Sequence, residues 1–410
     1  MKLVVTIYEE TCERALDAIH AVRREHDMIE VRAERFDTID LHALRAATQK
    51  PIILTYRGQH VARSIVARAI DAAIDFIDVE WREGVEITVP ERTVLSHHDY
   101  EGMRDVERIM KAMRARRCAY TKLAATPAHF ADNERLLALL PSTVIGMGER
   151  GLYSRILAPF KGSELTFVAA TNMAAPGQLT LERALEIFGR GALRADRVFA
   201  VAGNPAGHSL SPSIHNRLFR EKGVPAAYTI ASVERFAELT DAFLRGEPCG
   251  LSVTAPFKEE AFDFAVAKNA DMGDNARRAR AVNTLINFGD RILADNTDVD
   301  GFAALLPHAT KAAVIGAGGT ARAALVALQN ANIPATVYNR TASKADQPLD
   351  ALQHFDGDLI INTLPLGANV TIPPCENVIE AAYGAGQRGG LALLEAQAVR
   401  QHELFMKVFA

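Results

Sequence analysis

Residues Lys311–Arg322, KAAVIGAGGTAR, leave this part of the chain few ways to fold. The apolar run Ala312–Ile315 enters a Gly316-Ala317-Gly318-Gly319 turn and leaves in a segment rich in alanine and leucine. Strand, tight turn and helix in that order place free backbone N–H groups at a helix N-terminus, where a pyrophosphate can bind. Gly316 permits the turn, Gly318 lets backbone approach phosphate, and Ala321 takes the third small position. The next apolar run, Thr336-Val337-Tyr338, ends in Asn339-Arg340-Thr341, with Lys344 one turn further. A ribose 2′-hydroxyl is usually met by Asp or Glu about 20 residues past the glycines. A guanidinium there instead suits a 2′-phosphate. The expected cofactor is NADP, held by Gly316, Ala317, Gly318, Gly319, Asn339, Arg340, Thr341 and Lys344.

At 410 residues, with about 150 per domain, two or three domains are expected. Hydrophobic residues make up 49% and charged residues 23%, the balance of a chain with ample core. A net charge of −4 gives no global field for nucleic acid or a membrane surface, so the expected partners are small molecules. No pattern in the sequence specifies an oligomeric state. The four cysteines (Cys12, Cys118, Cys249, Cys375) form no CxxC pair, against zinc and against a disulfide framework. No apolar run approaches the roughly 18 residues of a membrane span. Met1 leads directly into the strand-like KLVVTIY, and a cytoplasmic protein without a targeting peptide is expected.

The first half beats regularly. Apolar, β-prone runs recur at Leu3–Tyr8, Met28–Ala33, Pro51–Tyr56, Phe76–Glu80, Thr93–Ser96, Cys118–Leu123, Thr143–Met147 and Leu165–Ala169. Helical periodicity fills most gaps, as in Cys12–Arg24, Val61–Ala73, Val106–Arg116 and Ala128–Leu140, while the fourth gap is thin. Eight strands alternating with helices predict a (β/α)8 barrel over 1–193, with a doubly wound open sheet as the rival. A polar linker near Gly189–Arg197 precedes a two-lobed α/β region. It divides into a lobe over 197–298 and a Rossmann-type NADP lobe over 299–410, whose final helix packs back on the first.

Barrel enzymes keep their chemistry at the C-terminal strand ends. Glu30, Arg32, Arg57, Glu80, His98 and Lys122 all fall there, and six converging charges are costly to bury without a ligand. A lysine ending an apolar run among Arg32 and Arg57 is expected to have its pKa lowered by desolvation and like charge. Its neutral amine could attack a carbonyl to form a Schiff base. His98 would move the proton with Glu80 holding its tautomer, whereas His97 reads as an ordinary strand-end histidine.

These residues resemble a known family. Glu30-Val31-Arg32, Thr55-Tyr56-Arg57, Ile77-Asp78-Val79-Glu80, Ser96-His97-His98-Asp99-Tyr100, Lys122, Ser154-Arg155 and Ala175-Pro176-Gly177-Gln178 are similar to type I 3-dehydroquinate dehydratases over residues 1 to about 190. The resemblance implies an imine between Lys122 and the substrate's C3 ketone, with His98 removing the C2 proton and returning it to the departing C1 hydroxyl. It implies Arg155 on the carboxylate, bidentate as guanidinium favours. Glu30, Arg32, Arg57 and Gln178 would bind ring hydroxyls or shape the pocket. Glu34 stands where that family usually has Asp, and Ala174 where it often has Ser.

Residues 197–410 resemble shikimate dehydrogenases. The resemblance rests on Gly203-Asn204-Pro205, His208-Ser209-Leu210-Ser211-Pro212, Ser252-Val253-Thr254-Ala255-Pro256-Phe257-Lys258, Ala281-Val282-Asn283-Thr284 and Asp295-Asn296-Thr297-Asp298. It implies Ser209 and Ser211 on the substrate carboxylate, Lys258 and Asp298 as the catalytic pair, and Thr254, Asn283 and Gln397 as substrate-binding residues. A proton donor at the nascent alkoxide is what hydride transfer to a ketone needs. The two halves together resemble the bifunctional enzymes of the shikimate pathway. The tail departs from the pattern: Leu364 and Ala368 vary the turn Ile361–Gly367, and only the six residues Gly384–Gly389 separate Tyr383 from the closing helix. Two alternatives stay open: an active dehydratase whose C-terminal half binds NADP with weak or no reduction, and a Schiff-base aldolase in the barrel.

Overall fold

In the computed structural model the eight apolar runs are parallel strands: β1 (Lys2–Ile7), β2 (Met28–Arg32), β3 (Ile52–Thr55), β4 (Phe76–Glu80), β5 (Thr93–Asp99), β6 (Tyr120–Ala125), β7 (Thr143–Gly146) and β8 (Leu165–Ala169). The structure describes residues 1–57, 63–384 and 389–410. The ladder runs β7-β6-β5-β4-β3-β2-β1-β8. Leu165 N donates to Thr143 Oγ1 at 3.1 Å across the remaining gap, so the barrel is nearly closed. Val4, Ile53, Val94, Ile145 and Phe167 belong to the apolar cluster that fills it.

Among the described residues seven helices accompany the strands: α1 (Cys12–Ala21), α2 (Leu41–Ala46), α3 (Arg63–Asp71), α4 (Val106–Arg114), α5 (Phe130–Leu137), α6 (Leu152–Leu157) and α7 (Leu181–Phe188). Side-chain oxygens of Thr11, Asp40 and Thr180 cap α1, α2 and α7 by accepting from free N–H groups of the first turn. Between β4 and β5 only the 3-10 turn Pro90–Arg92 forms, in the gap where the sequence pattern is thin. The expected start of a helix at Val61 lies outside the described residues. One reading needs correction. Lys122 does not end its strand but is the third residue of β6, because Leu123-Ala124-Ala125 continue the ladder to β7.

Contacts group the chain into two units, Met1–Asp196 with Phe219–Ser232, and Arg197–Leu218 with Val233–Ala410. The remaining elements are β9 (Arg197–Gly203), α8 (Ser211–Glu221), β10 (Ala226–Ser232), α9 (Ala237–Arg245), β11 (Gly250–Val253), α10 (Lys258–Ala267), β12 (Asp271–Met272), α11 (Asp274–Ala279), β13 (Thr284–Asn287) and β14 (Ile292–Asp295). They continue with α12 (Asp298–Leu305), β15 (Ala312–Ile315), α13 (Gly319–Asn330), β16 (Ala335–Asn339), β17 (Gln347–Pro348), β18 (Leu359–Asn362), β19 (Asn377–Glu380) and α14 (Leu391–Met406). In the second unit β9, β11, β13, β14 and β12 lie side by side in that order, mixed in direction. A second sheet, β17-β16-β15-β18-β19, is wholly parallel. That is the sheet of a Rossmann-type lobe, and the turn at Gly316 joins its central strand to α13. No helix among the described residues is long and apolar enough to cross a membrane.

At one point in the barrel, close packing fixes a functional side chain. Gly146, ending β7, lies against Gly151, just before α6; a Cβ on Gly146 would fall 2.3 Å from Gly151 O. The same approach lets Arg155 Nε reach Gly146 O at 2.9 Å. Gly146→Ala should therefore destabilise the protein by about 1–3 kcal/mol through overpacking. Calorimetry would register this as a lower Tm, and an unchanged Tm would show that the α6 backbone can give way.

Candidate functional site

Alternation along a strand sends every second residue to the same face. It brings Thr6, Glu30, Arg32, Thr55, Asp78, Glu80, Ser96, His98 and Lys122 into one polar network inside the first unit. Lys122 is only 5% exposed. Its Nζ lies 3.4 Å from Glu30 Oε1, 3.8 Å from Asp78 Oδ2 and 3.8 Å from the centre of the Phe167 ring. Glu30 also accepts from Thr6 Oγ1 at 2.8 Å and Thr55 Oγ1 at 2.9 Å. Burial opposes its charge, but Lys122, Arg32, the Thr6 hydroxyl and Arg57 outweigh burial and hold its pKa down at about 2. The surroundings of Lys122 thus differ from expectation. Two carboxylates, not two arginines, face its ammonium, because each arginine is engaged elsewhere: Arg32 with Glu34 at 2.5 Å, Arg57 with Glu80 at 2.5 Å and Asp78 at 3.0 Å.

His98 sits against Glu80, its Nδ1 2.8 Å from Oε2. Its Nε2 lies 3.4 Å from Arg57 Nη2. A carboxylate can only accept and a guanidinium can only donate, so both neighbours select the same tautomer: proton on Nδ1, lone pair on Nε2. Burial first, then Arg57 and Lys122, push its pKa well below the ordinary histidine value. His97 lies 3.8 Å from Glu80 Oε1.

Arg155 is 5% exposed and, among the described residues, donates only to the carbonyls of Gly146 at 2.9 Å and Pro176 at 3.4 Å. Burial lowers its pKa to about 10. Among the described residues no carboxylate pairs with it, which leaves a buried cation fitted to an incoming anion. Gln178 donates to Thr6 Oγ1 at 3.2 Å and accepts from Ala174 N at 2.8 Å, tying the 174–178 segment to Glu30 through Thr6. A cavity of about 930 Å³ opens beside Arg32, Arg57, Glu80, His98 and Tyr100.

The second unit holds a smaller polar pocket of about 140 Å³, walled by Ser209, Ser211, Thr254, Lys258 and Asn283 among others. Lys258, opening α10, donates to Asp298 Oδ2 at 2.6 Å and to Thr320 Oγ1 at 2.8 Å. Asn283 Nδ2 donates to Asp298 Oδ1 at 2.9 Å and Thr297 Oγ1 at 3.0 Å, while its Oδ1 accepts from Thr297 N at 2.8 Å. Gln397, on α14, accepts from Thr297 Oγ1 at 3.1 Å. Ser209 Oγ and Ser211 Oγ are 3.2 Å apart and both buried. Tyr383 lines the same pocket, so the short 384–389 segment does not remove this wall, although 385–388 lie outside the described residues.

The nucleotide turn fits a dinucleotide. Gly316 has φ +104°, a conformation suited to glycine, and a Cβ there would meet Thr363 Oγ1 at 2.5 Å. Around Gly318 a Cβ would meet nothing within 4 Å, which leaves open space beside the start of α13. Ala317 is half-buried in the turn. Asn339 ends β16, and Arg340, Thr341 and Lys344 beyond it are exposed. Among the described residues neither Arg340 nor Lys344 has a carboxylate partner.

The sequence reading missed Thr6 and Gln401, and gave no role to Asp78, Ser96, Thr297 and Thr320 although they stand in its motifs. Asp78 lies two residues before Glu80 and shares its face, a signal available from period-2 alternation. Gln401 had no such signal: it is buried on α14 and bonds Ser252 Oγ, Asn283 O and Thr284 Oγ1, contacts far apart in sequence.

Residues 3–190 match the type I 3-dehydroquinase family and residues 201–285 the shikimate dehydrogenase substrate binding domain. The shikimate biosynthesis protein AroDE of Chlamydia pneumoniae is 29% identical over 413 residues, covering 89% of this chain and 82% of its own length. The chloroplastic bifunctional 3-dehydroquinate dehydratase/shikimate dehydrogenase of Arabidopsis thaliana is 26% identical, covering 83% of this chain and 67% of that protein. Shikimate 5-dehydrogenase from Thermus thermophilus, solved with NADP(H) and shikimate, is 26% identical over 52% of this chain and 94% of its own, with a TM-score of 0.43. The chain thus carries a type I 3-dehydroquinase domain followed by a shikimate dehydrogenase substrate binding domain.

The His98 imidazole should remain neutral from neutral pH to well below pH 6.5 in an NMR titration of the folded protein. Because its folded-state pKa lies below the unfolded value of about 6.5, the stability it contributes is complete above that pH and is lost as pH falls toward the folded value. Protonation already midway near pH 6.5 would contradict the burial argument.

Proposed function

We propose that the first unit dehydrates 3-dehydroquinate to 3-dehydroshikimate through an imine on Lys122, and that the second reduces 3-dehydroshikimate to shikimate with NADPH. The observation that carries this reading is a pair of lysines withdrawn from water: Lys122, buried in the polar network that also holds His98, and Lys258, half-buried on the small polar pocket and paired with Asp298. Lys122 Nζ gives up one proton to water as the substrate enters and, as the neutral amine, attacks the C3 ketone; the ketone oxygen leaves as water, and the imine that remains draws electrons from C2. His98, with its Nε2 lone pair, removes the C2 proton and returns it to the leaving C1 hydroxyl. Glu80 keeps the opposite nitrogen protonated and steadies the imidazolium while it exists. Hydrolysis of the product imine restores the amine. Arg155 takes the substrate carboxylate as the partner its burial lacks, Arg32 and Arg57 present N–H groups to ring hydroxyls, and Glu30 and Gln178 shape the pocket.

In the second unit Ser209 and Ser211 bind the carboxylate, and Thr254, Asn283 and Gln397 orient the ring. Lys258 donates a proton to the nascent alkoxide while Asp298 holds its ammonium in place. NADPH, when bound, supplies the hydride. Gly316, Ala317, Gly318 and Gly319 cradle its pyrophosphate, and Asn339, Arg340, Thr341 and Lys344 receive the adenosine ribose and its 2′-phosphate. An inert nucleotide module is not favoured, since the Arabidopsis relative is named for both activities and the Lys258–Asp298–Asn283 constellation is assembled. Four free thiols go with a reducing compartment such as the cytoplasm.

A coupled assay tests the reading. The wild-type protein should oxidise NADPH and form shikimate on addition of 3-dehydroquinate, since dehydration in the first unit supplies the ketone that the second reduces. Lys122→Ala should abolish that response and leave the response to 3-dehydroshikimate intact. Shikimate formed from 3-dehydroquinate by the Lys122→Ala protein would refute the imine route.

Arg340→Ala should weaken NADPH binding by about one to two powers of ten, the roughly 1.5–3 kcal/mol of a charged hydrogen bond, and leave NADH binding nearly unchanged. Fluorescence titration with both nucleotides measures this. Equal weakening of both would mean that Arg340 does not read the 2′-phosphate.

A further inference from the structure

An ammonium carries three N–H donors. On Lys258 two are committed, to Asp298 Oδ2 at 2.6 Å and to Thr320 Oγ1 at 2.8 Å. The third has no partner among the described residues, and the side chain lines the small polar pocket. Thr320 is the second residue of α13, the helix that begins at the nucleotide turn. A second contact lies beside it. A Cβ on Gly319 would stand 3.0 Å from Lys258 Cβ and 3.2 Å from Lys258 Cδ, so the absent side chain of Gly319 is what lets the lysine stem lie against the turn. The segment expected to cradle the pyrophosphate therefore touches the expected proton donor at both its stem and its tip.

We propose that Thr320 is a positioning residue that couples the cofactor turn to Lys258. Its hydroxyl oxygen and Asp298 fix two of the three N–H directions, and the tetrahedral geometry of the ammonium then sets the third, toward the substrate carbonyl oxygen. Reduction adds hydride to the carbonyl carbon and a proton to its oxygen. The two donors must be registered against one C=O bond, and a misplacement of the order of 1 Å costs rate. One helix turn that holds the hydride carrier on its glycines and the proton donor on Thr320 provides that registry. The inference rests on the dehydrogenase reading of the second unit.

Three measurements on Thr320→Val and Thr320→Ser decide it. Val keeps the shape and removes the acceptor; Ser keeps the acceptor and removes the methyl. Thr320→Val should lower kcat for 3-dehydroshikimate reduction about ten-fold, equivalent to about 1.4 kcal/mol, with KM and the NADPH Kd little changed. Thr320→Ser should recover most of the lost kcat. Unchanged kcat in Thr320→Val, equal impairment in both variants, or NADPH affinity falling in step with kcat would each overturn the coupling and leave the dehydrogenase reading standing. A wild-type protein that reduces no 3-dehydroshikimate would overturn both.

Discussion

An ammonium withdrawn from water must be paired, and that constraint organises the candidate chemistry of both units. Lys122, on β6, is almost wholly removed from water, and the carboxylates of Glu30 on β2 and Asp78 on β4 compensate it. Those carboxylates draw in their own partners: Thr6 and Thr55 on Glu30, Ser96 and Arg57 on Asp78. Arg57 in turn meets Glu80, and Glu80 meets His98. The tautomer of the histidine is therefore fixed by the same requirement that makes the lysine tolerable. Breaking one member of such a buried pair costs about 3–5 kcal/mol, because it strands the other charge.

The two lysines differ in how tightly they are held, and that difference matches the roles assigned to them. Lys258 makes two short, well-formed hydrogen bonds, the setting of a group that must deliver a proton along a fixed line. Lys122 has a longer contact to Glu30, a still longer one to Asp78, and an aromatic ring beside it. An amine that must leave its partners to form a covalent bond is better served by these looser contacts. Arg155 is the complementary case, a buried guanidinium whose protein acceptors are carbonyls, so the anion that completes it comes with the substrate.

Backbone approach sets the remaining geometry. Gly146 and Gly151 bring β7 and α6 together so that Arg155 can reach back to Gly146 O. Gly319 does the equivalent for Lys258 and α13. Neither Gly146 nor Gly319 has positive φ; each is required for the volume of the side chain it lacks. Gly319 thus has a second part beyond the phosphate cradle, since its missing side chain makes room for Lys258 and Ala281, whereas Gly318 faces open space.

Local pattern determined a good deal. The alternation of apolar runs with amphipathic segments set the eight parallel strands, because a short run of β-branched residues followed by a helical period can bury itself in few ways. The glycine turn after Ala312–Ile315 marked the Rossmann-type lobe, and the charges at strand ends marked the mouth of the barrel. Only the tertiary structure decided which of those charges meet. That Lys122 faces Glu30 and Asp78 rather than Arg32 and Arg57 depends on strand register and on each arginine finding its own carboxylate. Gln401 beside Ser252 and Asn283, and Thr320 on Lys258, join residues dozens to well over a hundred positions apart. Periodicity along a chain records which way a side chain points from its own backbone, whereas its partner is chosen by packing between elements whose order in space the period does not contain.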